Sequence, residues 1–177
     1  MRKEAFLSAG GFDVVRYSRP SIEDIELGYR LRAAGGRILL LPALRGTHLK
    51  VWRLLNLLHT EVFCRAIPWS RLMLSQTGMV DDLNVGTAER LRAVMAALFF
   101  AGIVASFLPG VPGWIALVMF GAIALANGSL LRLFYRRKGL LFAVGGLLFH
   151  QVYYLYSSVA FAWCWLEFQA NKLTRAG

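Results

Sequence analysis

Cysteine is scarce in this chain of 177 residues, which contains only Cys64 and Cys164. Two cysteines so far apart form no metal-binding pattern and no disulfide framework. The composition therefore excludes a small disulfide-stabilised domain, and each cysteine is expected to act as a small apolar side chain.

Acidic residues are also few: 10 Asp and Glu stand against 20 Lys and Arg, which gives a formal net charge of +10. The basic residues flank apolar runs instead of lining a polar groove, which argues against nucleic acid as a partner. Four of them share one short segment: Arg132, Arg136, Arg137 and Lys138. Anionic lipid head groups are the expected partner of this charge.

Charge is absent altogether from two long runs, residues 93–131 and 139–166. A spanning helix needs about 20 apolar residues, and Pro109 to Gly113 provides a turn within the first run. The runs predict about three transmembrane helices at 93–108, 114–131 and 140–166, with a polar tail at 167–177. A soluble helical domain is the alternative, but such a domain rarely lacks charge over so long a stretch.

Residues 1–48 are predicted to be the remnant of an α/β domain. A short helix over 2–9 leads into the turn Gly10-Gly11-Phe12-Asp13. A second helix begins near Ser21 and ends at Gly35-Gly36, and residues 37–41 read as a buried strand stopped by Pro42. One helix and one strand cannot bury a core, so this part must pack on an upstream domain or a partner chain.

Residues 49–92 are predicted to be an interfacial amphipathic segment and a connector. Apolar residues recur at helical spacing over 49–76, and Pro68-Trp69 is expected to break the helix. The alternative is a soluble amphipathic helix packed on a missing domain.

Glu23 and Asp24 are the first candidates for chemistry. An Asp at a helix N-terminus beside a glycine-rich loop can act as a general base. The same residues also fit a capping box in Ser21-Ile22-Glu23-Asp24, in which carboxylates serve only the helix dipole.

Further candidates follow the predicted strand. His48 could contact a metal or a phosphate, although a lone His is more often structural. Arg65 could pair with a diphosphate and Trp69 could stack on a sugar, yet both residue types are also common interfacial anchors.

These motifs resemble a known family. Arg2 to Phe6, Gly10-Gly11-Phe12-Asp13 and Glu23-Asp24 through Leu31 with Gly35-Gly36 are similar to the C-terminal half of the catalytic domain of family 2 glycosyltransferases. The segments 47–52 and 65–69, followed by apolar runs, resemble its membrane-bound bacterial members.

The resemblance implies a GT-A fold and an inverting, nucleotide-sugar-dependent transferase. It implies Asp24 as the base that deprotonates the acceptor, with Glu23 beside it. It also implies acceptor or diphosphate contacts and a weak metal role for His48; the contacts are Gly11, Asp13, His48, Lys50, Arg65 and Trp69.

The chain also departs from the family. It has neither the Asp-x-Asp that holds Mn or Mg nor the Gln-x-x-Arg-Trp of processive synthases. We therefore expect the C-terminal fragment of a longer enzyme, inactive alone, whose donor half and main metal ligands lie upstream or in a partner chain.

The expected function is transfer of a sugar from a nucleotide-sugar to a lipid-linked or cell-surface polysaccharide acceptor. No secretory signal is recognisable, and basic loops stay inside, so the catalytic part is expected to be cytoplasmic on a bacterial inner membrane. The alternative is a non-catalytic membrane anchor or assembly subunit.

Overall fold

The computed structural model describes residues 1–39, 41–47, 49–77 and 85–176. Helices dominate these ranges: α1 (Lys3–Ser8), α2 (Glu23–Ala33), α3 (Leu54–His59), α4 (Ile67–Leu72), α5 (Thr87–Ala105), α6 (Trp114–Ala126) and α7 (Gly128–Ala176). Two π-helical segments, Thr60–Ala66 and Met73–Thr77, connect with α3 and α4 into one helical stretch. The chain divides into two compact units, the first comprising Met1–Gly78 and Trp163–Gly177 and the second Met79–Ala162.

The predicted α/β remnant is wrong, because no strand occurs in the ranges that the structure describes. The segment 37–41 was expected to be a buried strand, but Ile38, Leu39 and Leu41 are exposed on irregular backbone, and Leu40 lies outside the described residues. A strand gains stability from hydrogen bonds to a neighbouring strand. The described residues offer no such neighbour, so local β-propensity does not suffice.

Helix α2 begins and ends close to its predicted limits. Three acidic residues in its first turn and two basic residues in its last turn complement the helix dipole. At its C-terminus, Gly35 adopts φ +81° and the N–H of Gly36 donates to the carbonyl of Leu31 at 2.9 Å. A Cβ on Gly36 would lie 2.7 Å from that carbonyl oxygen. The predicted glycine cap is therefore confirmed.

The predicted break at Pro68 is not observed. Proline has no N–H, so the Cys64 carbonyl loses its usual donor four residues ahead. The Ser21 hydroxyl donates to this carbonyl at 2.7 Å instead. A π-helical turn precedes α4, which starts at Ile67 with Pro68 in its first turn. The helical stretch therefore continues through the proline. The Ser21 side chain hydrogen-bonds to this stretch and does not cap α2.

The end of α7 belongs to the first unit and contacts α4. The Arg71 guanidinium binds the Glu167 carboxylate through two hydrogen bonds of 3.1 Å. The Cys164 thiol is buried and lies 3.7 Å from the Ile67 carbonyl oxygen. Both cysteines are free thiols, as the sequence suggested.

In the second unit, an apolar core lies between α5, α6 and α7. Phe99, Ile123 and Leu147 are its buried centre. Polar contacts lie toward one end of this unit, where the Tyr154 hydroxyl donates to the Glu89 carboxylate at 2.6 Å and Arg92 pairs with Glu89. Helix α7 is kinked at Gly139, which has φ +82°.

Within α7, Gly128–Thr174 is long and apolar enough to cross a membrane, judged by length and composition; no other helix in the described ranges passes the same test. Helix α6 is apolar but has only 13 residues, about 20 Å at 1.5 Å per residue. That length is below the roughly 30 Å of the hydrocarbon core. The division of this half into three spans stays a prediction.

Candidate functional site

The candidate site lies in the first unit. A salt bridge on α2 between Glu26 and Arg30 holds its parts together. The Glu26 carboxylate is buried and receives two hydrogen bonds of 2.7 Å from the Arg30 guanidinium. Arg30 also donates to the carbonyl oxygens of Ala9 and, at 2.7 Å, Gly11. We call this set, Glu26 and Arg30 with the Ala9 and Gly11 carbonyls, the Arg30 clamp. It holds the turn Gly10-Gly11-Phe12-Asp13, which we call the glycine loop, against α2.

The Arg30 clamp is held by a permanent charge. The hydrogen bonds with Glu26 raise the pKa of Arg30 above its ordinary value. Arginine is already protonated throughout the physiological range, so the raised pKa leaves Arg30 positively charged there. A buried carboxylate such as that of Glu26 needs this partner, because an unpaired charge away from water is costly.

The glycine loop has a backbone that only glycine adopts easily. Gly10 has φ +79° and Gly11 has φ +67°, both in the left-handed region. A Cβ on Gly11 would also lie 3.3 Å from the Phe6 ring. The next acidic residue, Asp13, accepts a hydrogen bond of 2.9 Å from the Arg16 N–H through its side chain. The turn predicted at 10–13 is therefore confirmed, with Asp13 oriented by its own loop.

At the N-terminus of α2, the two adjacent carboxylates have different surroundings. Glu23 accepts a hydrogen bond of 2.6 Å from the Ser21 N–H and is partly buried. Asp24 is exposed and accepts only from the N–H of the next residue, Ile25, at 2.9 Å, within the described part of the chain. The Glu23 carboxylate is thus hydrogen-bonded to the Ser21 N–H, whereas the Asp24 carboxylate is accessible to a ligand.

A tyrosine that the sequence did not single out, Tyr17, lies close to Glu23 and to two other carboxylates, Glu26 and Asp13. The Tyr17 hydroxyl is buried and has no hydrogen-bond partner among the described residues. Burial is the main cause that raises the pKa of Tyr17, and the Arg16 guanidinium partly opposes it. Three carboxylates add to the increase: Glu26, Asp13 and Glu23. Tyr17 therefore remains a neutral phenol among acidic groups, with a buried hydroxyl.

Of the other residues predicted to contact the acceptor or the diphosphate, Lys50 and Arg65 interact with neighbouring residues of their own segment. The Lys50 ammonium lies 4.0 Å from the centroid of the Trp52 ring. Arg65 pairs with Glu61 at 2.7 Å, one helical turn away. The Trp69 indole N–H is buried without a hydrogen-bond partner among the described residues. His48 lies outside the described residues.

The structure thus links Gly11 to α2 through Arg30 and brings Asp13 and Glu23 near Tyr17, while Asp24 lies beside Glu23 in the first turn of α2. Sequence reasoning missed Glu26, Arg30 and Tyr17. The spacing of Glu26 and Arg30, four residues apart on a helix, was a usable signal for a salt bridge. No sequence signal pointed to the contact between Arg30 and the glycine loop, because it joins segments about 20 positions apart.

The described residues do not fit a resident divalent metal. No group of three or more His, Cys, Asp or Glu side chains within 1–39, 41–47, 49–77 and 85–176 converges as metal ligands would. A Mn or Mg site held by three or more such residues is therefore not supported in these ranges, and no chemical step below depends on one.

No protein-family model matches this chain, and neither the curated proteins nor the solved structures give a match.

Proposed function

We propose that this chain carries the acceptor-side part of a membrane-bound glycosyltransferase, which moves a sugar from a nucleotide-sugar to a lipid-linked or cell-surface acceptor. The observation that supports it most is the Arg30 clamp. It ties the Gly10-Gly11-Phe12-Asp13 loop to α2, and these are two of the motifs on which the resemblance to family 2 glycosyltransferases rests.

In this proposal Asp24 is the general base. The acceptor hydroxyl gives its proton to the Asp24 carboxylate while its oxygen attacks the anomeric carbon of the donor sugar, and the nucleoside diphosphate leaves from the opposite face. Exposure and a single local hydrogen bond leave Asp24 able to approach a hydroxyl. Glu23 is a positioning residue, because its carboxylate holds the Ser21 N–H and thereby the start of α2.

Tyr17 and Asp13 complete the proposed acceptor region. A buried hydroxyl without a partner is unfavourable unless something binds it, and in this proposal an acceptor hydroxyl binds Tyr17 after a local movement exposes its O–H. We place the reaction at the cytoplasmic face of a bacterial inner membrane, with the apolar helices as the anchor. The donor half and its metal ligands would come from an upstream segment or a partner chain.

The test uses native membranes, which contain the upstream segment or partner chain that supplies the donor half, from cells that overproduce the protein; tritiated UDP-sugars and GDP-sugars are supplied one at a time. Label transferred to lipid or polymer is compared for the wild type, Asp24→Asn and the matched control Glu4→Gln, an exposed carboxylate of α1. We expect transfer with the wild type and the control, and almost none with Asp24→Asn. Insertion of each variant is checked by carbonate extraction.

Two results would overturn the proposal. One is equal transfer by Asp24→Asn and wild type, which would remove Asp24 as the base. The other is that an inserted protein gives no protein-dependent transfer from any donor. The alternative function, a non-catalytic membrane anchor or assembly subunit, would then be the one that remains.

A further inference from the structure

The second unit carries a group of exposed cations that have no counter-charge among the residues that the structure describes. Arg132, Arg136, Arg137 and Lys138 are exposed on α7. None of them makes an ion pair or a side-chain hydrogen bond with the described residues. The sequence also contains no Asp or Glu between Arg90 and Leu166. We call Arg136, Arg137 and Lys138 the basic triad.

An apolar groove of about 170 Å³ lies in the same unit, between α6 and α7. Its exposed lining contains no polar surface. The residues that line it include Phe120, Ala124, Leu131, Tyr135, Leu140 and Leu147. A groove of this kind suits a hydrocarbon chain and offers nothing to a polar ligand.

The groove and the basic triad are adjacent along the chain. Tyr135 lines the groove and immediately precedes the triad, and Leu140 lines it two residues after Lys138. Gly139, with φ +82°, turns the chain between them. Since neighbouring Cα atoms are only 3.8 Å apart, the backbone of the basic triad lies at the border of the groove.

We propose that this groove and the basic triad form a binding site for a membrane phospholipid with an anionic head group. One acyl chain lies in the groove, and the basic triad binds the phosphate. Arginine binds phosphate oxygens through two parallel hydrogen bonds. Charge complementarity favours this occupant over a second copy of the chain, which would bring the same unpaired cations to the contact.

The test measures lipid binding by native mass spectrometry in detergent micelles. The probes are palmitoyl-oleoyl phosphatidylglycerol and palmitoyl-oleoyl phosphatidylcholine, which share their chains and differ in head-group charge. Each basic residue near an anionic lipid contributes about fivefold in affinity. We therefore expect the wild type to prefer phosphatidylglycerol by about tenfold or more.

The variant Arg136→Gln/Arg137→Gln/Lys138→Gln should lose this preference while still binding both lipids weakly. The matched control Lys3→Gln/Arg32→Gln/Arg37→Gln removes two arginines and one lysine from exposed positions of the first unit, and it should keep the preference. Equal loss in both triple variants, or no preference in the wild type, would overturn the site.

A second variant tests the groove itself. Ala124→Phe fills it and should lower the occupancy of both lipids while leaving the ratio between them unchanged. Circular dichroism checks that the helices are retained, and Val144→Leu is a milder replacement if they are not. Unchanged lipid occupancy with dissociation of an oligomer would overturn the proposal and make the groove a contact between copies.

Discussion

The two compact units differ in the contacts that hold them together. In the first unit, polar side chains reach backbone groups far away in the sequence, as Arg30 does with Ala9 and Gly11, and Ser21 with Cys64. In the second unit, an apolar core around Phe99 joins the helices, and the polar contacts lie toward one end. The second unit also has long-range hydrogen bonds, such as that from Arg92 to the Ala126 carbonyl at 3.1 Å, but its three-helix apolar core is formed by side-chain packing.

Their exposed apolar side chains also differ in setting. In the first unit, Leu44 and Leu49 are 79 % and 88 % exposed on irregular backbone. In the second, Leu125 and Leu141 are 85 % and 90 % exposed on helices. Irregular backbone does not tolerate contact with lipid tails, whereas a helix does. Under the proposed function, the irregular apolar surface around Leu44 would meet the donor half, and the helical surface around Leu141 would meet lipid.

The largest expected effect contrasts two buried leucines, Leu27 at 3 % exposure and Leu147 at 1 %. Leu27→Ala should cost about 3 kcal/mol of local stability, because its unit unfolds into water. Leu147→Ala should cost less than half as much if its unit lies in lipid, where transfer of the side chain from water contributes nothing. Hydrogen exchange in lipid nanodiscs measures the free energy of opening around each site.

The cost of Leu27→Ala provides the control, because it should be the same in nanodiscs and in detergent micelles if the first unit lies in water. Equal costs for Leu27→Ala and Leu147→Ala in nanodiscs would contradict the lipid environment of the second unit.

The next effect concerns the Arg30 clamp. Arg30→Met leaves the buried Glu26 carboxylate without its partner and frees the glycine loop, so the first unit should lose about 2 to 3 kcal/mol. The matched control is Arg32→Met on the same helix, which is exposed and should change stability by less than about 0.5 kcal/mol. Hydrogen exchange of residues 5–17 reports the release of the loop; unchanged protection in Arg30→Met would refute the clamp.

The smallest effect is that of Tyr17→Phe. Removing a buried hydroxyl that lacks a partner should leave stability unchanged or raise it by up to about 1 kcal/mol at neutral pH. The raised pKa of Tyr17 adds a pH dependence. Above the ordinary value of 10.0 the unfolded chain loses its phenolic proton first, so stability falls as pH rises through the higher folded pKa.

Tyr17→Phe should remove the fall in stability at high pH that comes from the Tyr17 phenol. Tyr135→Phe, at an exposed position, should not change that fall. Thermal unfolding followed by near-ultraviolet circular dichroism at pH 9 and pH 11 measures the difference. A Tyr17→Phe variant less stable than wild type at pH 9 would show that the hydroxyl has a partner.

Features set by neighbours in sequence could be predicted. The helix over 2–9, the turn at 10–13 and the glycine cap after Ala33 all depend on a few adjacent residues, and the structure agrees with them. The strand at 37–41 failed because a strand requires a partner strand. The break at Pro68 failed because Ser21, 43 positions away from Cys64, satisfies the carbonyl that the proline leaves without a donor.

The candidate site was partly predictable for the same reason. Glu23, Asp24 and the glycine loop are visible as short motifs, and only their physical association was missing. That association depends on Arg30, whose contacts with Ala9 and Gly11 cannot be read from local spacing. Tyr17 is one of six tyrosines, and nothing in its sequence neighbourhood distinguishes a buried hydroxyl without a partner.

The most direct test of the central claim compares the rate of sugar transfer in membranes carrying Asp24→Asn and Glu23→Gln. A glutamine at 23 keeps an oxygen for the Ser21 N–H, so Glu23→Gln should lower the rate by at most about tenfold. Loss of a general base should lower it by about 10²- to 10⁴-fold in Asp24→Asn. Equal rates for the two variants, or a larger loss in Glu23→Gln, would contradict the assignment of Asp24 as the base.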